Sequence, residues 1–280
     1  MVAAQVLFSA MGVFLRLGAR NVPWQEAALS RFAIGALVAY AVARMRGASL
    51  HITNKKLMGT RSITGTLSAL TVFYVWASPK IPLGDAVTLT SVGPVFVVLL
   101  SWPLLKERVG KLVYGAVPIA FGGILLVVKP SFHVAMTLAA VAIAGSFFYS
   151  LAMISLRQIG PNESGEAVVL YFSLFGTLVM TCISIPVWKT PDAISGLFLV
   201  LTGLTGGFAQ LAMTRAYSLD RAARISALSY LCIIFTNLFA IPVFGSLPGF
   251  WQIIGSGLVI LSGLIVALSA QREKIPLEMA

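Results

Sequence analysis

Long uncharged, apolar runs dominate this chain and limit where it can fold. The longest covers 225–271, and Gly245-Ser246-Leu247-Pro248-Gly249 divides it with a composition typical of turns. Because a membrane-spanning helix needs about 20 apolar residues, this run predicts two spans and each shorter run predicts one. The six shorter uncharged runs cover 62–79, 86–105, 112–128, 134–156, 167–188 and 193–214.

Two weaker segments, near 2–19 and 26–44, bring the prediction to ten transmembrane helices and an all-α integral membrane protein. They contain Arg16 and Arg31. Each arginine is interpreted either as a side chain that reaches the lipid headgroups or as a gate or a partner for a substrate carboxylate. The first segment lacks the basic start and the cleavage site of a signal peptide, so we interpret it as the first helix.

The second half of the chain repeats the first at an offset of 139 or 140 residues. Because each half has five predicted spans, an odd number, the second half enters the membrane upside down. This predicts two inverted five-helix repeats, residues 1–132 and 133–280, around a central cavity with a substrate site where they meet. The matching pairs are Ala77/Ala216, Leu89/Leu228, Pro103/Pro242, Gly110/Gly249, Gly115/Gly255 and Gly123/Gly263.

A motif of small residues also recurs in the two halves. Gly65-x-x-x-Ala69 lies in the third predicted span, and Gly203-x-x-x-Gly207 lies in the eighth. Small residues at this spacing let helix backbones approach closely in lipid. We therefore expect both motifs to lie at contacts between helices.

Basic residues are concentrated on one side of the predicted spans, which sets the orientation of the chain. Only Arg20, Lys80, Lys129 and Lys189 lie in the loops on the opposite side. The positive-inside rule therefore predicts that both termini are cytoplasmic in a bacterial inner membrane, and the net charge of +11 does not indicate a nucleic-acid partner. The cytoplasmic set is Arg44, Arg46, Lys55, Lys56, Arg61, Lys106, Arg108, Lys111, Arg157, Arg215, Arg221, Arg224, Arg272 and Lys274.

The fourth predicted span carries motifs that resemble a known transporter family. Ile81-Pro82-Leu83-Gly84-Asp85-Ala86, Gly93-Pro94-Val95-Phe96 and Leu105-Lys106-Glu107-Arg108 look like the signature of the EamA branch of the drug/metabolite transporter superfamily. The chain looks most like its YddG-type amino acid exporters. The resemblance implies ten helices, a cavity lined mainly by spans 1, 3, 4, 6, 8 and 9, and movement of small metabolites. Ile233 and Ser246 stand where the family often has a second proline and a second glutamate, so we expect the two halves to bend differently.

Polar and aromatic residues share one face of several predicted spans. In the third span they recur every three or four residues, which places them on one side of a helix. Such a face should look into a wet cavity that suits zwitterionic or amphiphilic metabolites, or else form hydrogen bonds between helices worth about 0.6 kcal/mol each. The candidate substrate-binding residues are Thr71, Tyr74, Ser78, Thr88, Ser91, Trp102, Ser146, Tyr149, Gln210, Tyr230 and Asn237.

Conformational change and coupling have separate candidates. Pro94 lies inside the fourth span and removes a backbone hydrogen bond, so Gly93 and Pro94 are interpreted as a hinge or as a static bend. All acidic residues lie near the ends of spans, in loops or in the tail. This favours facilitated diffusion or exchange over tight proton coupling, with Glu26 and Glu166 as the coupling candidates.

Several functional classes lack their motifs. There is no phosphate-binding loop for ATP and no His-Glu-x-x-His zinc motif, and Cys182 and Cys232 fall inside spans, so we expect neither an enzyme nor a metal or cofactor. We predict an exporter of amino acids or similar small metabolites that acts as a monomer or dimer in the lipid bilayer by alternating access. A drug or nucleotide-sugar carrier ranks lower, because phosphate needs cations that the middles of the spans lack. A non-transporting membrane scaffold is the third alternative.

Overall fold

The structure is a computed structural model that describes residues 1–106, 111–128, 132–245 and 247–272. Within these residues every regular element is helical and no strand occurs. Short 3-10 turns follow α7 and α8 and separate α10 from α11. The helices are α1 (Val2–Gly18), α2 (Trp24–Arg46), α3 (Lys55–Ala77), α4 (Leu83–Thr90), α5 (Gly93–Leu105), α6 (Lys111–Val128), α7 (Phe132–Ile159), α8 (Gly165–Ser184), α9 (Ala193–Leu219), α10 (Ala222–Ala227), α11 (Leu231–Phe244) and α12 (Phe250–Arg272).

Five helical segments of the described chain are long and apolar enough to cross a membrane. Shorter apolar helices cover Val2–Gly18, Pro118–Val127, Leu228–Phe244 and Phe250–Ile265. The helix α3 has 23 residues but is more polar, because it contains two lysines and an arginine. The five long segments are Trp24–Arg46, Leu83–Leu105, Met136–Ile159, Gly165–Val187 and Ala193–Leu219.

Helices from the first part of the chain pack mainly against helices from the second. The helix α1 contacts α9 and α11, α2 contacts α8 and α9, α3 contacts α7 and α8, α5 contacts α7, and α6 contacts α12. Small residues shape some of these contacts. A Cβ atom on Gly207 would lie 3.1 Å from the Cα atom of Gly35, so α9 and α2 meet almost backbone to backbone at this point.

The two small-residue motifs have different surroundings. In α9, Gly203 and Gly207 both face α2, as expected for a close helix contact. In α3, a Cβ atom on Gly65 would overlap the guanidinium of Arg61 and lie 2.8 Å from the ring of Phe172. Gly65 therefore provides space for two side chains, in addition to any close approach of the helix backbones.

The predicted fourth span is broken into α4 and α5, and Pro94 lies at the start of α5 rather than in the middle of a helix. The break still has the expected consequence for hydrogen bonding. The carbonyl of Thr90 would bond to the N–H of residue 94, which proline lacks. The hydroxyl of Ser146 on α7 donates to this carbonyl instead, at 3.2 Å.

The segment at the matching offset in the second half is also broken, although it lacks the proline. The expectation that the two halves bend differently stays a prediction. A 3-10 turn at Leu228–Tyr230 separates α10 from α11. Ile233, at the position matching Pro94, lies in the first turn of α11. Both halves therefore interrupt this helix at equivalent points, although only one has a proline there.

Arg16, near the end of α1, does not reach towards lipid headgroups. Its guanidinium donates to three backbone carbonyls at the end of α3 and in the following loop: Trp76 at 2.9 Å, Ser78 at 2.8 Å and Ile81 at 2.7 Å. These carbonyls lie at or beyond the end of α3, where no following helical turn supplies N–H donors. The arginine therefore satisfies them and ties α1 to the loop between α3 and α4.

Candidate functional site

A cavity of about 160 Å³ lies where helices from the two parts of the chain meet. Ligand pockets typically have roughly 300–1,000 Å³, so in this conformation the cavity fits only a small solute. Its wall includes residues of α2 and α8 as well as of the expected helices α1, α3, α4, α5, α7, α9 and α11. Aromatic and aliphatic side chains form most of the lining, and a few polar groups converge between them.

Arg61 is the first of two charged groups in the lining. Although the sequence places it among basic residues that flank a loop, its side chain is turned into the protein and is only 2% exposed. Its guanidinium carbon lies 4.1 Å from the ring centroid of Phe172, within the range of a cation–π contact. Its Nε and Nη1 atoms have no hydrogen-bond partner.

Arg31 on α2 is the second charged group, and it is 4% exposed. Its Nη2 donates to Oε1 of Gln210 at 2.7 Å, and its guanidinium carbon lies 4.7 Å from the Phe32 ring and 5.4 Å from the Phe172 ring. Its Nη1 has no hydrogen-bond partner. Of the two interpretations offered for this residue, headgroup contact is therefore excluded by burial, and a role in the cavity stays open.

No acidic residue belongs to the described lining of the cavity. Glu26 is buried at the start of α2, where its Oε1 accepts from the backbone N–H of Lys189 at 2.6 Å. Glu166, in the first turn of α8, pairs with Arg46 at 3.1 Å. The two coupling candidates therefore lie at helix starts and outside the lining, and their suggested role stays a prediction.

Three of the candidate substrate-binding residues, Ser91, Tyr149 and Gln210, line the cavity. The hydroxyl of Tyr149 lies 3.3 Å from that of Tyr217. The hinge candidate Pro94 also belongs to the lining. Gly93 packs against Tyr149, because a Cβ atom at this position would lie 2.5 Å from the tyrosine ring.

Four further candidates make contacts between helices, as in the alternative interpretation of the polar face. Thr71 packs against Gly145 of α7. Thr88 shares a hydrogen bond of 3.0 Å with Ser256 of α12, and the hydroxyl of Ser146 donates to the Thr90 carbonyl. Tyr230 packs on Gly263 of α12.

The remaining candidates lie away from the described lining. The ring of Tyr74 is 39% exposed and packs edge-on against Trp24, while Trp102 is 61% exposed. The carbonyl of Ser78 accepts from Arg16. Asn237 packs against Gly84 and donates to the carbonyl of Ile233 at 2.9 Å.

The cavity contains groups that the polar-face argument missed. Trp76 and Phe172 supply aromatic walls, and Gln5 supplies an amide. The indole N–H of Trp76 donates to the Thr90 hydroxyl at 2.9 Å. A cation at membrane depth is the signal by which the sequence already offered Arg31 as a possible substrate partner, because such residues usually face the interior of a bundle. Arg61 gave no such signal, because it immediately precedes the uncharged run 62–79 and so lies outside the predicted span.

Comparisons with known proteins agree with this architecture. A pseudopaline exporter, CntI of Pseudomonas aeruginosa, is 28% identical over 275 residues, which cover 97% of this chain and 95% of that protein. An uncharacterized transporter of Helicobacter pylori is 31% identical over 229 residues, which cover 79% of this chain and 76% of that protein. A protein of known crystal structure shares the fold, with a TM-score of 0.71 at 20% identity over 96% of this chain and 99% of that one.

The family model for EamA-like transporters matches residues 1–129. Together with the relatives, this match assigns the chain to a family of multi-pass membrane transporters rather than to enzymes. The chain belongs to the EamA-like transporter family, within the drug/metabolite transporter superfamily.

Proposed function

We propose that this protein is an exporter of amino acids or similar small metabolites, with the YddG-type exporters as its model. It would work by alternating access in a bacterial inner membrane, with ten transmembrane helices, both termini in the cytoplasm, and two inverted repeats at 1–132 and 133–280. The substrate would bind in the cavity between the repeats. The pseudopaline exporter, which is similar over nearly the whole chain, supports the direction of transport.

The pairing of helices supports the inverted repeat. If α1, α2, α3, α4/α5 and α6 correspond to α7, α8, α9, α10/α11 and α12, exchanging the halves maps the most extensive contacts onto one another. The contact of α1 with α9 becomes that of α7 with α3, and the contact of α1 with α11 becomes that of α7 with α5. The contacts of α2 with α8 and of α6 with α12 map onto themselves. This is the pattern that a twofold axis between the halves produces, and the odd number of predicted spans in each half would place that axis in the membrane plane.

The observation that carries the proposal is the cavity itself. It lies between the halves and combines aromatic walls with an amide, hydroxyls and guanidinium groups. A scaffold protein would pair its polar groups between helices and leave no such space. The helix breaks on either side of the cavity, at 91–92 and at 228–230, give each half a point where it can bend.

A drug or nucleotide-sugar carrier is the second candidate. The cavity does offer cations that could bind phosphate, because Arg31 and Arg61 both belong to its lining. The main objection is the cavity volume of about 160 Å³, because a nucleotide sugar is much larger than an amino acid.

Uptake into liposomes that contain the purified protein tests the proposal. The panel should include aromatic, aliphatic and acidic amino acids, a nucleotide sugar and a lipophilic cation, with and without a pH gradient. Saturable amino acid uptake without a gradient supports a facilitated carrier or exchanger. Uptake that requires a gradient would move attention to Glu26 and Glu166, with E26Q and E166Q as the next variants. A protein that moves none of these solutes would contradict the proposed function.

A further inference from the structure

We propose that the cavity selects small metabolites that carry two carboxylate groups, one for Arg31 and one for Arg61. This inference rests on the proposed function, because it names the substrate class of the same site. It does not follow from the family, whose members are named for chemically different solutes.

The positive charges in the cavity lining have no acidic partner. Arginine keeps its positive charge in proteins, and a buried charge is costly unless it is paired. Arg31 and Arg61 are almost completely buried, and no acidic residue belongs to the described lining of the cavity. Each guanidinium retains at least one buried nitrogen without a hydrogen-bond partner. The empty site is therefore two negative charges short of neutrality.

The positions of the two guanidinium groups also favour a ligand with two carboxylates. Both guanidinium carbons lie within 5.4 Å of the centroid of the Phe172 ring, so the ring touches both charged groups. Two separate guanidinium groups beside one ring suit two separate anionic groups joined by a short carbon chain that packs on the ring. Guanidinium groups form planar, paired hydrogen bonds with carboxylates, which favours them as the anionic groups.

Neighbouring residues hold both arginines in place for a ligand. Gln210 accepts from Nη2 of Arg31, which leaves Nη1 free. Gly65 provides the space that the guanidinium of Arg61 occupies, and Gly206 does the same for the side-chain stem of Arg31, whose Cγ would lie 3.0 Å from an added Cβ. These contacts fix the positions of the two charges before any substrate arrives.

Matched acid and amide solutes provide the test, with the full chain in liposomes. L-Glutamate and L-glutamine have nearly the same shape but differ by one carboxylate, and succinate has two carboxylates without an amine. We expect saturable uptake of glutamate and succinate, with glutamine at least about tenfold slower, because glutamine loses the charged hydrogen bonds that the second carboxylate makes. Inorganic phosphate and chloride, added as competitors, test whether any anion can fill the site.

Charge-removing variants extend the test. R61Q and R31Q should each lower the apparent affinity for succinate about 10-fold to 100-fold, because each removes charged hydrogen bonds to one carboxylate. R44Q is the matched control. It removes the same charge as R31Q and R61Q, but Arg44 lies on the exposed end of α2. R61K should retain part of the affinity, since lysine keeps the charge but not the planar geometry.

The outcomes separate the inference from the proposed function. Equal uptake of glutamate and glutamine, or succinate uptake that R61Q leaves unchanged, overturns the dicarboxylate site while amino acid export stands. Full inhibition by phosphate or chloride at concentrations similar to those of succinate also overturns it, in favour of a general anion site. No uptake of any solute by the wild-type protein rejects the proposed function, and the inference with it. The wild-type comparison decides the matter even if a variant fails to fold.

Discussion

Arg61 illustrates how one side chain can change the chemistry expected of a site. It lies on the same helix as the polar residues that the sequence analysis selected, but its guanidinium is what reaches the cavity. The Phe172 ring covers one face of the guanidinium, and Gly65, one turn further along α3, leaves space beside it. A cavity that had been expected to offer hydroxyl and amide groups therefore also offers strong positive charge.

Replacing Gly65 with alanine should displace Arg61 without removing its charge. The added Cβ would overlap the guanidinium and crowd the Phe172 ring, so the cation would have to move. We expect the apparent affinity for an anionic substrate to fall about tenfold, the equivalent of about 1.4 kcal/mol. Substrate-dependent uptake into liposomes measures this.

The control for Gly65→Ala is Gly59→Ala, in the same helix. No atom outside the helix backbone lies within 4 Å of a Cβ at position 59, so this variant should transport normally. Equal affinity in both variants would show that the position of Arg61 does not matter for binding.

Single residues also show which contacts the sequence pattern could not predict. The third-span periodicity places Thr71 and Tyr74 on one face of a helix, but it could not tell which neighbour each side chain meets. In the structure Thr71 packs on α7 and Tyr74 on Trp24, while Ser68, one turn before Thr71, lines the cavity. Counting uncharged runs placed Arg61 outside the span, because a run ends by definition at the first charge. The ring that stabilises this charge is 111 positions away in sequence, beyond the reach of any local pattern.

The interrupted helices are the most informative elements of the fold. The fourth predicted span had a proline to indicate its break, and the structure shows the break two residues earlier, at 91–92. The ninth had no such signal, yet a 3-10 turn separates α10 from α11. Long apolar runs thus predicted the existence of these helices well but not their internal continuity.

Ser146 should contribute to stability by satisfying the carbonyl that Pro94 leaves free. Ser146→Ala leaves the Thr90 carbonyl without its donor, which we expect to cost about 1–3 kcal/mol of unfolding free energy. In a Pro94→Ala background the new N–H can serve this carbonyl, so the same substitution should cost less. Thermal unfolding of the four proteins in detergent gives the coupling energy.

Ser150→Ala is the matched control for this cycle, because Ser150 is buried on the same helix but donates within its own turn. It should cost the same with either residue at position 94. Additive effects of Ser146→Ala and Pro94→Ala would contradict the role assigned to the Thr90 carbonyl.

Glycines hold α6 and α12 together through a backbone contact. A Cβ atom at Gly255 would lie 2.5 Å from the carbonyl oxygen of Gly123, and backbone cannot move aside as a side chain can. We expect Gly255→Ala to lower stability by about 1–3 kcal/mol, the usual cost of overpacking. Gly257→Ala on the same helix faces open space and should be neutral or stabilising. Melting temperatures that rank the two variants the other way round would refute this contact.

At the scale of the whole molecule, the family assignment and the pairing of helices describe one architecture from independent directions. The family model covers residues 1–129, whereas the contacts relate this part of the chain to the remainder. Composition and hydropathy were enough to predict an all-helical membrane protein, and the internal repeat and the resemblance to the EamA branch added the transporter function. The proposed substrate class rests on the buried charges, which depend on how the two parts of the chain pack.

The orientation of the chain can be measured directly. Basic residues predict that both termini are cytoplasmic. Green fluorescent protein fused to either end should therefore fluoresce, and alkaline phosphatase inserted after Lys80 should be active while the same insertion after Thr53 should not. Activity at Thr53 would reverse the predicted topology, whereas fluorescence at only one terminus would contradict an even number of spans.

The two charged arginines in the cavity also respond to the membrane potential. An empty site carries two positive charges, and moving one elementary charge across the whole membrane field is worth about 2.3 kcal/mol per 100 mV. In the proposed transport cycle a dianion cancels both charges, so the loaded carrier responds less to voltage than the empty one. With a negative cell interior, the potential then favours the empty site facing the cytoplasm, the side from which the proposed exporter loads.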